Sequence, residues 1–355
     1  MKTARHSGDP TNRRKVEHIS IIKEDAATDR QKHYFDEIRL RHRALPEINL
    51  DEVDTSIVFL GKRLSLPLII SCMTGGDHTV LRKINRNLAV AAERRGVAMG
   101  VGSQRVMFLQ PGARASFELR RYAPTALLFA NLGAVQLNKG FTIQQCREAM
   151  EVLEADGLYL HLNPLQEAVQ PEGDTQFRGL AEKIGEVAEA LPKPVIVKEV
   201  GAGISREDAH LLVAEGIRFI DVAGAGGTSW SRIEHHRVRD AGHAHGLLFQ
   251  DWGLPTPRAL WDLRDLRPEV TLIASGGLRS GLDMAKAMVL GASLCGLAAP
   301  FLQPALKSAE AVEEEIERLR REFRIALFLL GVRSPAELIG HLEYIFEAPP
   351  SWGIP

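Results

Sequence analysis

Four side chains that can hydrogen-bond or coordinate lie at the end of one buried-looking strand. From Leu158 onward, Leu alternates with Tyr and then His, so successive side chains are predicted to face opposite sides of a strand. Pro164 ends this strand because it removes a backbone donor and restricts the residue before it. The four polar residues are His161, Asn163, Gln166 and Glu167. Packing explains them poorly, so we expect this strand end to be the chemical centre.

Other residue types suit an anionic substrate and its counter-ion. Glu167 could bind a hard divalent ion, with water and phosphate oxygens as the remaining ligands, as Mg²⁺ prefers. The candidate substrate cations are Arg14, Lys15 and Arg105. The histidines of Glu234-His-His236 and His243-Ala-His245 are expected in a polar loop. No further ligands accompany them in the sequence, which argues against a metal site there.

Two features point to a bound phosphate or cofactor. Ser275-Gly-Gly-Leu-Arg279 precedes Ser280, which is predicted to open a helix, and the glycines would let backbone amides approach an anion. Lys198 ends a strand of Val and Ile, where a buried ammonium group needs a partner. Because Glu199 should face the opposite side, a ligand is the favoured partner of Lys198. Gly224-Ala-Gly-Gly227 lacks the GxGxxG spacing of a dinucleotide fold.

These residues follow a repeated unit of apolar strand, glycine-rich or polar loop, and amphipathic helix. The expected strands are 68–71, 97–101, 126–131, 157–161, 195–199, 219–223, 271–275 and 294–297. Eight such units predict an α/β fold, a closed (β/α)8 TIM barrel, over an open doubly wound sheet. We expect a single domain with an N-terminal extension and hairpin (1–66), the barrel (67–300) and C-terminal helices (301–355). In a barrel, the polar loops converge at the C-terminal ends of the strands.

Composition narrows the class of protein. Lys and Arg (44) nearly balance Asp and Glu (45), so no global charge favours nucleic acid. No apolar run approaches the ~20 residues of a membrane span, and the N-terminus lacks the apolar core of a signal peptide. Three widely spaced cysteines indicate free thiols in a reducing compartment. The expected location is the cytoplasm.

Six motifs follow one another along the chain: Arg14-Lys-Val-Glu-His18, Met73-Thr-Gly-Gly76, Gly102-Ser-Gln-Arg105, His161-Leu-Asn-Pro-Leu-Gln-Glu167, Gly226-Gly-Thr-Ser-Trp230 and Ser275-Gly-Gly. In this combination and order they resemble the type 2 isopentenyl-diphosphate isomerases, which are FMN-dependent enzymes on a (β/α)8 barrel. The resemblance covers the chain from Arg14 to about Pro300. Relatives often have serine where this chain has Ala223.

The resemblance implies a role for each matched residue. FMN would be held by Met73, Thr74, Gly75, Ser103, Asn131, Lys198, Thr228, Gly276, Gly277, Arg279, Ala298 and Ala299. The diphosphate substrate would contact Arg14, Lys15, Ser103, Gln104, Arg105, His161 and Gln166, with Trp230 beside the isoprenyl tail. Glu167 would bind Mg²⁺, and the candidate catalytic residues are His161, Asn163 and Gln166.

The implied reaction moves the double bond of isopentenyl diphosphate to give dimethylallyl diphosphate. Side-chain acid/base catalysis typically contributes ~10²–10⁴-fold, and protonating an unactivated alkene demands more. The resemblance implies that reduced FMN delivers and removes the proton, with NADPH as a transient reductant. The resemblance also implies a homo-oligomer, either a tetramer or an octamer. We also expect residues 1–20 to be mobile in the free enzyme and to close over the diphosphate.

Two other functions remain open from the residues. An FMN-dependent 2-hydroxy-acid oxidase would need a histidine base and an arginine clamp after a late strand. The corresponding region, Ala223 to Trp230, has neither. A non-catalytic flavin-binding scaffold is the third possibility, and the polar cluster between His161 and Glu167 argues against it.

Overall fold

A closed barrel of parallel strands organises the chain in the computed structural model, which describes residues 10–237 and 245–350. The strands are β1 Arg39–Leu40, β2 Ile57–Phe59, β3 Lys62–Leu64, β4 Leu68–Ile70, β5 Ala98–Gly100, β6 Leu128–Gly133, β7 Gly157–His161, β8 Val195–Lys198, β9 Phe219–Asp221, β10 Thr271–Ser275, β11 Leu294–Leu297 and β12 Ile345–Glu347. Strands β4 to β11 pair in chain order, and β11 returns to β4. The predicted (β/α)8 barrel is confirmed, with each strand within a few residues of its expected position.

Helices cover the outside of the barrel, and one of them begins directly after Ser280, as predicted. The helices are α1 Pro10–Glu24, α2 Thr79–Arg95, α3 Arg105–Leu109, α4 Ile143–Leu153, α5 Pro164–Val169, α6 Leu180–Ala190, α7 Arg206–Ala214, α8 Trp230–Arg237, α9 Thr256–Leu263, α10 Gly281–Val289, α11 Ala299–Lys307 and α12 Ala309–Leu330. Thr142 with Gln145 and Ser280 with Asp283 form capping boxes. In each box, the side chain of one residue accepts a hydrogen bond from the backbone N–H of the other.

The barrel is closed at the N-terminal ends of its strands. The antiparallel hairpin β2–β3 places Phe59 against Phe129 and Phe219, with ring centroids 6.4 and 6.0 Å apart. These rings and Leu64 belong to an apolar cluster that fills the barrel interior. The predicted hairpin is therefore the plug of one end, which leaves the opposite end for chemistry.

The N-terminal extension continues to the C-terminal end of the barrel. Helix α1 is anchored there because Asp25, just after the helix, accepts hydrogen bonds from Arg232 and His236 of α8. Arg30 is buried and donates to the carbonyls of Gly201 (2.9 Å) and Gln250 (2.7 Å). The extension thus ties together loops that surround the open end. Residues 1–9, part of the segment expected to be mobile, lie outside the described residues.

The C-terminal region is helical, as expected, through α11 and α12, and it departs from that expectation only after Leu330. After α12, the chain forms 3₁₀ turns at Pro335–Glu337 and Leu342–Tyr344 and then strand β12, which pairs antiparallel with β1. The pairing joins the ends of the chain across about 300 residues, and strands this short carry almost no periodic signal. In the described ranges, no helix has the length and apolar character needed to cross a membrane.

Candidate active site

A cavity of about 490 Å³ lies at the C-terminal ends of the strands, where the barrel loops and helix α1 meet. The predicted site residues that line it are Arg14, Lys15, Met73, Thr74, Ser103, Arg105, Asn131, His161, Asn163, Gln166, Glu167, Lys198, Thr228, Trp230, Gly276, Gly277, Arg279, Ala298 and Ala299. Residues from eight strand–loop units and the N-terminal helix thus share one cavity. That convergence is what a closed barrel imposes on its strand ends.

Two predicted contacts lie outside this lining. The Gln104 side chain is fully buried, donates to the Ala149 carbonyl (2.8 Å) and accepts from the Asn131 backbone N–H (3.0 Å). In this arrangement it positions Asn131 and does not line the cavity in which its substrate contact was predicted. Gly75 contributes its carbonyl, which accepts from Lys15 Nζ at 2.6 Å. A side chain at Gly75 would overlap the Phe117 ring.

His161 has a defined neutral form. The Asn131 amide nitrogen donates to the Val101 carbonyl (3.0 Å), so its oxygen must be the acceptor of the 2.7 Å contact with His161 Nδ1. Burial, together with the charges of Lys198 and Lys15, lowers the pKa of His161 to about 3. The ring is therefore neutral and carries its proton on Nδ1. Its Nε2 is left as a hydrogen-bond acceptor.

Helix α5 presents Gln166 and Glu167 together because Pro164 starts the helix immediately after Asn163. Asn163 Nδ2 donates to Gln166 Oε1 (3.1 Å) and to Glu167 Oε1 (2.8 Å). The Asn163 oxygen is buried without a hydrogen-bond partner among the described residues. A buried, unpaired acceptor beside a cavity is readily explained by a bound ligand.

Glu234, which sequence reasoning missed, is the acceptor for Gln166. It lies on α8, so the predicted polar loop is wrong at this position. The fully buried carboxylate accepts from Gln166 Nε2 (2.8 Å), pairs with Arg237 and lies 3.1 Å from His18 Nε2, without hydrogen-bond geometry to that ring. Burial raises the pKa of Glu234, but His18, Arg237 and Gln166 outweigh it and bring the pKa to about 2. An anion is thus held behind the predicted catalytic amide.

The four-residue spacing of Trp230 and Glu234 is the signal that could have found this carboxylate. On a helix, these two residues share a face. Trp230 lines the cavity and packs edge-on against His18, with ring centroids 5.2 Å apart. The apolar residues Ile19 and Ile22 of α1 line the same cavity. The N-terminal helix therefore supplies apolar wall as well as cations.

Glu167 is a buried carboxylate without a cationic partner in the described contacts. Its oxygens accept from Asn163, from Gln170 Nε2 (2.8 Å) and from the Asp174 backbone N–H (2.7 Å). In residues 10–237 and 245–350 no group of three or more His, Cys, Asp or Glu side chains could hold a metal. One carboxylate fits a Mg²⁺ ion that takes most of its ligands from water and phosphate, and does not fit an all-protein metal cage.

Lys198 is buried as expected, and its surroundings include an acid that sequence reasoning missed. Its ammonium donates to the Glu199 backbone carbonyl. The Glu199 carboxylate instead accepts from successive backbone N–H groups of its own loop, at 2.6 Å for both Val200 and Gly201. Asp221 is the register neighbour of Lys198 on strand β9 and is fully buried. Burial raises the pKa of Asp221, and the Lys198 charge opposes that rise.

The glycines of the predicted phosphate cradle line the cavity, but the helix start that follows them already has acceptors for its N–H groups. Gly276 and Gly277 have φ of 90° and 87°, which favours glycine. However, the N–H groups at the start of α10 already donate to the carboxylates of Asp283 and Glu322. Helix α11 begins without a side-chain cap at Ala298, beside the cavity. The helix end suited to an anion is therefore that of α11, after the eighth strand.

The predicted substrate cations are held in place by neighbouring protein groups. Lys15 Nζ donates to the carbonyls of Gly75 and Ser103 (2.8 Å for the latter). Burial and the neighbouring Arg14 charge lower the pKa of Lys15 to about 7. Arg105 pairs with Asp174 at 3.0 Å. A cluster of cations at one side of the cavity is suited to an anion with several charges.

Sequence comparisons match this chain to one protein family model and to curated proteins that share one name. The family described as FMN-dependent dehydrogenase matches residues 11–117 and 136–343. An isopentenyl-diphosphate delta-isomerase of Paracoccus zeaxanthinifaciens is 55% identical, covering 92% of this chain and 94% of its own. That of Hydrogenovibrio crunogenus is 52% identical (94% and 97% covered), and that of Methanosarcina barkeri is 44% identical (92% and 90% covered).

Solved structures support the fold. A mandelate oxidase variant with a monooxide FMN adduct is 19% identical with a TM-score of 0.62, covering 94% of this chain and 92% of its own. A second mandelate oxidase variant, with benzoyl-formic acid, has the same identity and TM-score and covers 96% and 92%. At this identity the likeness extends to the barrel architecture and not to the reaction.

Proposed function

The chain belongs to the FMN-dependent, type 2 isopentenyl-diphosphate delta-isomerase family, and from this premise we propose that it interconverts isopentenyl and dimethylallyl diphosphate. The observation that carries the proposal is the 44–55% identity, over about nine-tenths of the chain, to relatives that bear this activity in their names. The cavity agrees with it, because cations, one metal-type carboxylate and an apolar wall meet there.

The cavity residues fit FMN. Thr74 Oγ1 is buried at the cavity without a hydrogen-bond partner in the described part of the chain. Lys198 would hold the flavin ring, while Gly276, Gly277 and the start of α11 would hold its phosphate. When bound and reduced, FMN supplies the proton donor and acceptor that the side chains lack. Ala223 also lines the cavity, and its methyl group cannot donate a hydrogen bond to the flavin.

The substrate's diphosphate would lie among Arg14, Lys15 and Arg105. Charge-assisted hydrogen bonds contribute ~1.5–3 kcal/mol each, so three cations can anchor the substrate together. Glu167 would bind Mg²⁺ that also takes diphosphate oxygens. The apolar tail would then extend toward Trp230 and the isoleucines of α1. This arrangement would place the reacting carbons inside the cavity, beside the wall that α1 supplies.

The remaining polar groups would orient substrate and control protons. Neutral His161 is able to accept a hydrogen bond from the substrate at Nε2 and is a poor proton donor. Gln166 is oriented from both sides, since Asn163 donates to its oxygen and its nitrogen donates to Glu234. The Glu234 anion favours positive charge nearby, which suits a reaction that adds a proton to an alkene.

The test uses the purified full chain with FMN, Mg²⁺ and NADPH. We expect isopentenyl diphosphate to be converted to dimethylallyl diphosphate, with activity lost when the flavin stays oxidised or when Mg²⁺ is removed by a chelator. Turnover of a 2-hydroxy acid with oxygen would instead support the oxidase that the fold also accommodates. A protein that cannot be reconstituted with FMN would contradict both enzymatic functions.

We further propose the cytoplasm as its location, NADPH as the transient reductant and a homo-oligomer as its assembly. The thiols of Cys72, Cys146 and Cys295 are free, which supports a reducing compartment. Large apolar side chains are exposed at Leu45 (74%) and Phe346 (71%), which supports association of copies. Light scattering of the purified protein distinguishes tetramer and octamer from monomer, and a monomer would contradict the assembly.

A further inference from the structure

The segment after the Glu167 helix brings carboxylates to the predicted substrate cations. It comprises residues 171–176 and contains Glu172 and Asp174. Glu172 lies 3.9 Å from Arg14, and half of its side chain is exposed. Asp174 is far less exposed, at 12%, and lies 3.0 Å from Arg105. The contact of Asp174 is therefore the more constrained of the two. Neither the family resemblance nor the reaction requires this contact.

The Asp174 side chain fixes Arg105 without cancelling its charge. Oδ2 accepts from Arg105 Nη1 and from Gln136 Nε2 at 3.2 Å. Oδ1 lies 3.3 Å from Lys139 Nζ. Two cations share one carboxylate, so Arg105, Lys139 and Asp174 together retain a net positive charge. Arg105 is thus oriented and still able to attract an anion.

The Asp174 backbone contacts the predicted metal ligand. Its N–H donates to Glu167 Oε2 at 2.7 Å. The preceding Gly173 lies directly against Glu167, and a side chain there would overlap the Glu167 carbonyl. The segment is therefore packed on Glu167, and a single residue touches both the cation and the carboxylate of the predicted site.

We propose that Asp174 is a positioning residue that couples the diphosphate cation Arg105 to the metal carboxylate Glu167. This inference rests on the proposed function and deepens it. The side chain holds the Arg105 guanidinium toward the cavity, while the N–H fixes one Glu167 oxygen. Release of either contact loosens the segment and so disturbs the other. Diphosphate and Mg²⁺ therefore bind cooperatively through Asp174.

The test variant is Asp174→Asn, which keeps the backbone N–H and the size but removes the charge. Binding of inorganic diphosphate to the full chain is measured by titration calorimetry with and without Mg²⁺. We expect binding to weaken about tenfold, as for loss of one charge-assisted hydrogen bond, and the tightening by Mg²⁺ to fall about threefold. Glu172→Gln is the matched control, and it should leave the Mg²⁺ effect unchanged because Glu172 has no described contact with Glu167.

A double-mutant cycle separates positioning from a general structural effect. In an Arg105→Met background, Asp174→Asn should change diphosphate affinity less than twofold, because the group that it positions is gone. In turnover, KM should rise while kcat stays within twofold. If Asp174→Asn does not fold, Asp174→Glu, which displaces the carboxylate, must show the same dependence on Arg105.

The outcomes distinguish this inference from the proposed function. Wild-type protein that binds no diphosphate would overturn both. Wild-type protein that binds diphosphate, with an Asp174→Asn variant of equal affinity or with a penalty that persists in the Arg105→Met background, would overturn only the role of Asp174.

Discussion

Diphosphate binding should take up a proton at Lys15. In the free protein the pKa of Lys15 is lowered to about 7 by burial and by the Arg14 charge. At pH 8 only about one-tenth of Lys15 is then protonated. A bound diphosphate would restore the ammonium form, since a nearby anion raises an amine pKa. About 0.9 proton should therefore be taken up per diphosphate at pH 8, but only about 0.1 at pH 6.

The sign of the pH dependence follows from this proton. Because the bound state holds one more proton than the free state above pH 7, affinity should fall about tenfold per pH unit there and level off below pH 7. Calorimetric titrations in two buffers with different ionisation enthalpies measure the proton count. Lys15→Met is the control, because it retains any proton exchange by the ligand itself. Equal proton counts for wild type and variant at pH 8 would refute the reasoning.

Three further predictions concern the site and its support. Glu234→Gln removes the anionic acceptor of Gln166, so kcat/KM should fall about ten- to a hundredfold; steady-state rates with loaded enzyme check this, and an unchanged value would contradict the role of the carboxylate. The pKa of His161, about 3, predicts that His161→Gln lowers kcat/KM without changing the shape of its profile between pH 5 and 9; a limb near pH 6.5 that disappears in the variant would be inconsistent. Gly75→Ala should destabilise the fold by about 1–3 kcal/mol through overlap with Phe117; denaturant unfolding measures it, and a stability equal to wild type would show that the ring can move.

The barrel could be predicted because its signal is local and repeated. Strand β8 is a continuous apolar run buried on both faces, as parallel strands are, and a polar loop follows it. The cavity lining followed from the same rule, since parallel strand ends meet at one face. Ser280 likewise predicted the start of helix α10, where it forms a capping box with Asp283.

The features of the site that the sequence did not predict depend on contacts between residues distant in sequence. Glu234 appeared to be part of a polar loop because α8 is short and mostly hydrophilic, and only the fold places it against Gln166. Asp221 ends an ordinary strand, and its importance arises from its register with Lys198. Gln104 follows a loop glycine in the sequence, as the residues on either side of it do. Its side chain, however, points into the protein and hydrogen-bonds to backbone groups. No single-sequence pattern specifies these partners.

The predicted phosphate cradle shows that a motif can indicate where a loop lies without indicating which of its N–H groups are free to bind a ligand. The glycine loop lies at the cavity, as its sequence indicates. The sequence alone does not show that Asp283 and Glu322 already occupy the start of α10. That occupancy moves the expected anion contact to α11. Substitution at Ala298 is therefore more informative about cofactor phosphate than substitution within α10.

Turnover in D₂O most directly tests whether the enzyme performs a redox-neutral isomerisation with reduced FMN. With FMN reduced beforehand and oxygen excluded, isopentenyl diphosphate should yield deuterated dimethylallyl diphosphate over many turnovers per flavin. The absorbance spectrum should remain that of the reduced cofactor throughout. Product formed only in proportion to flavin oxidised, or product without solvent deuterium, would contradict the account.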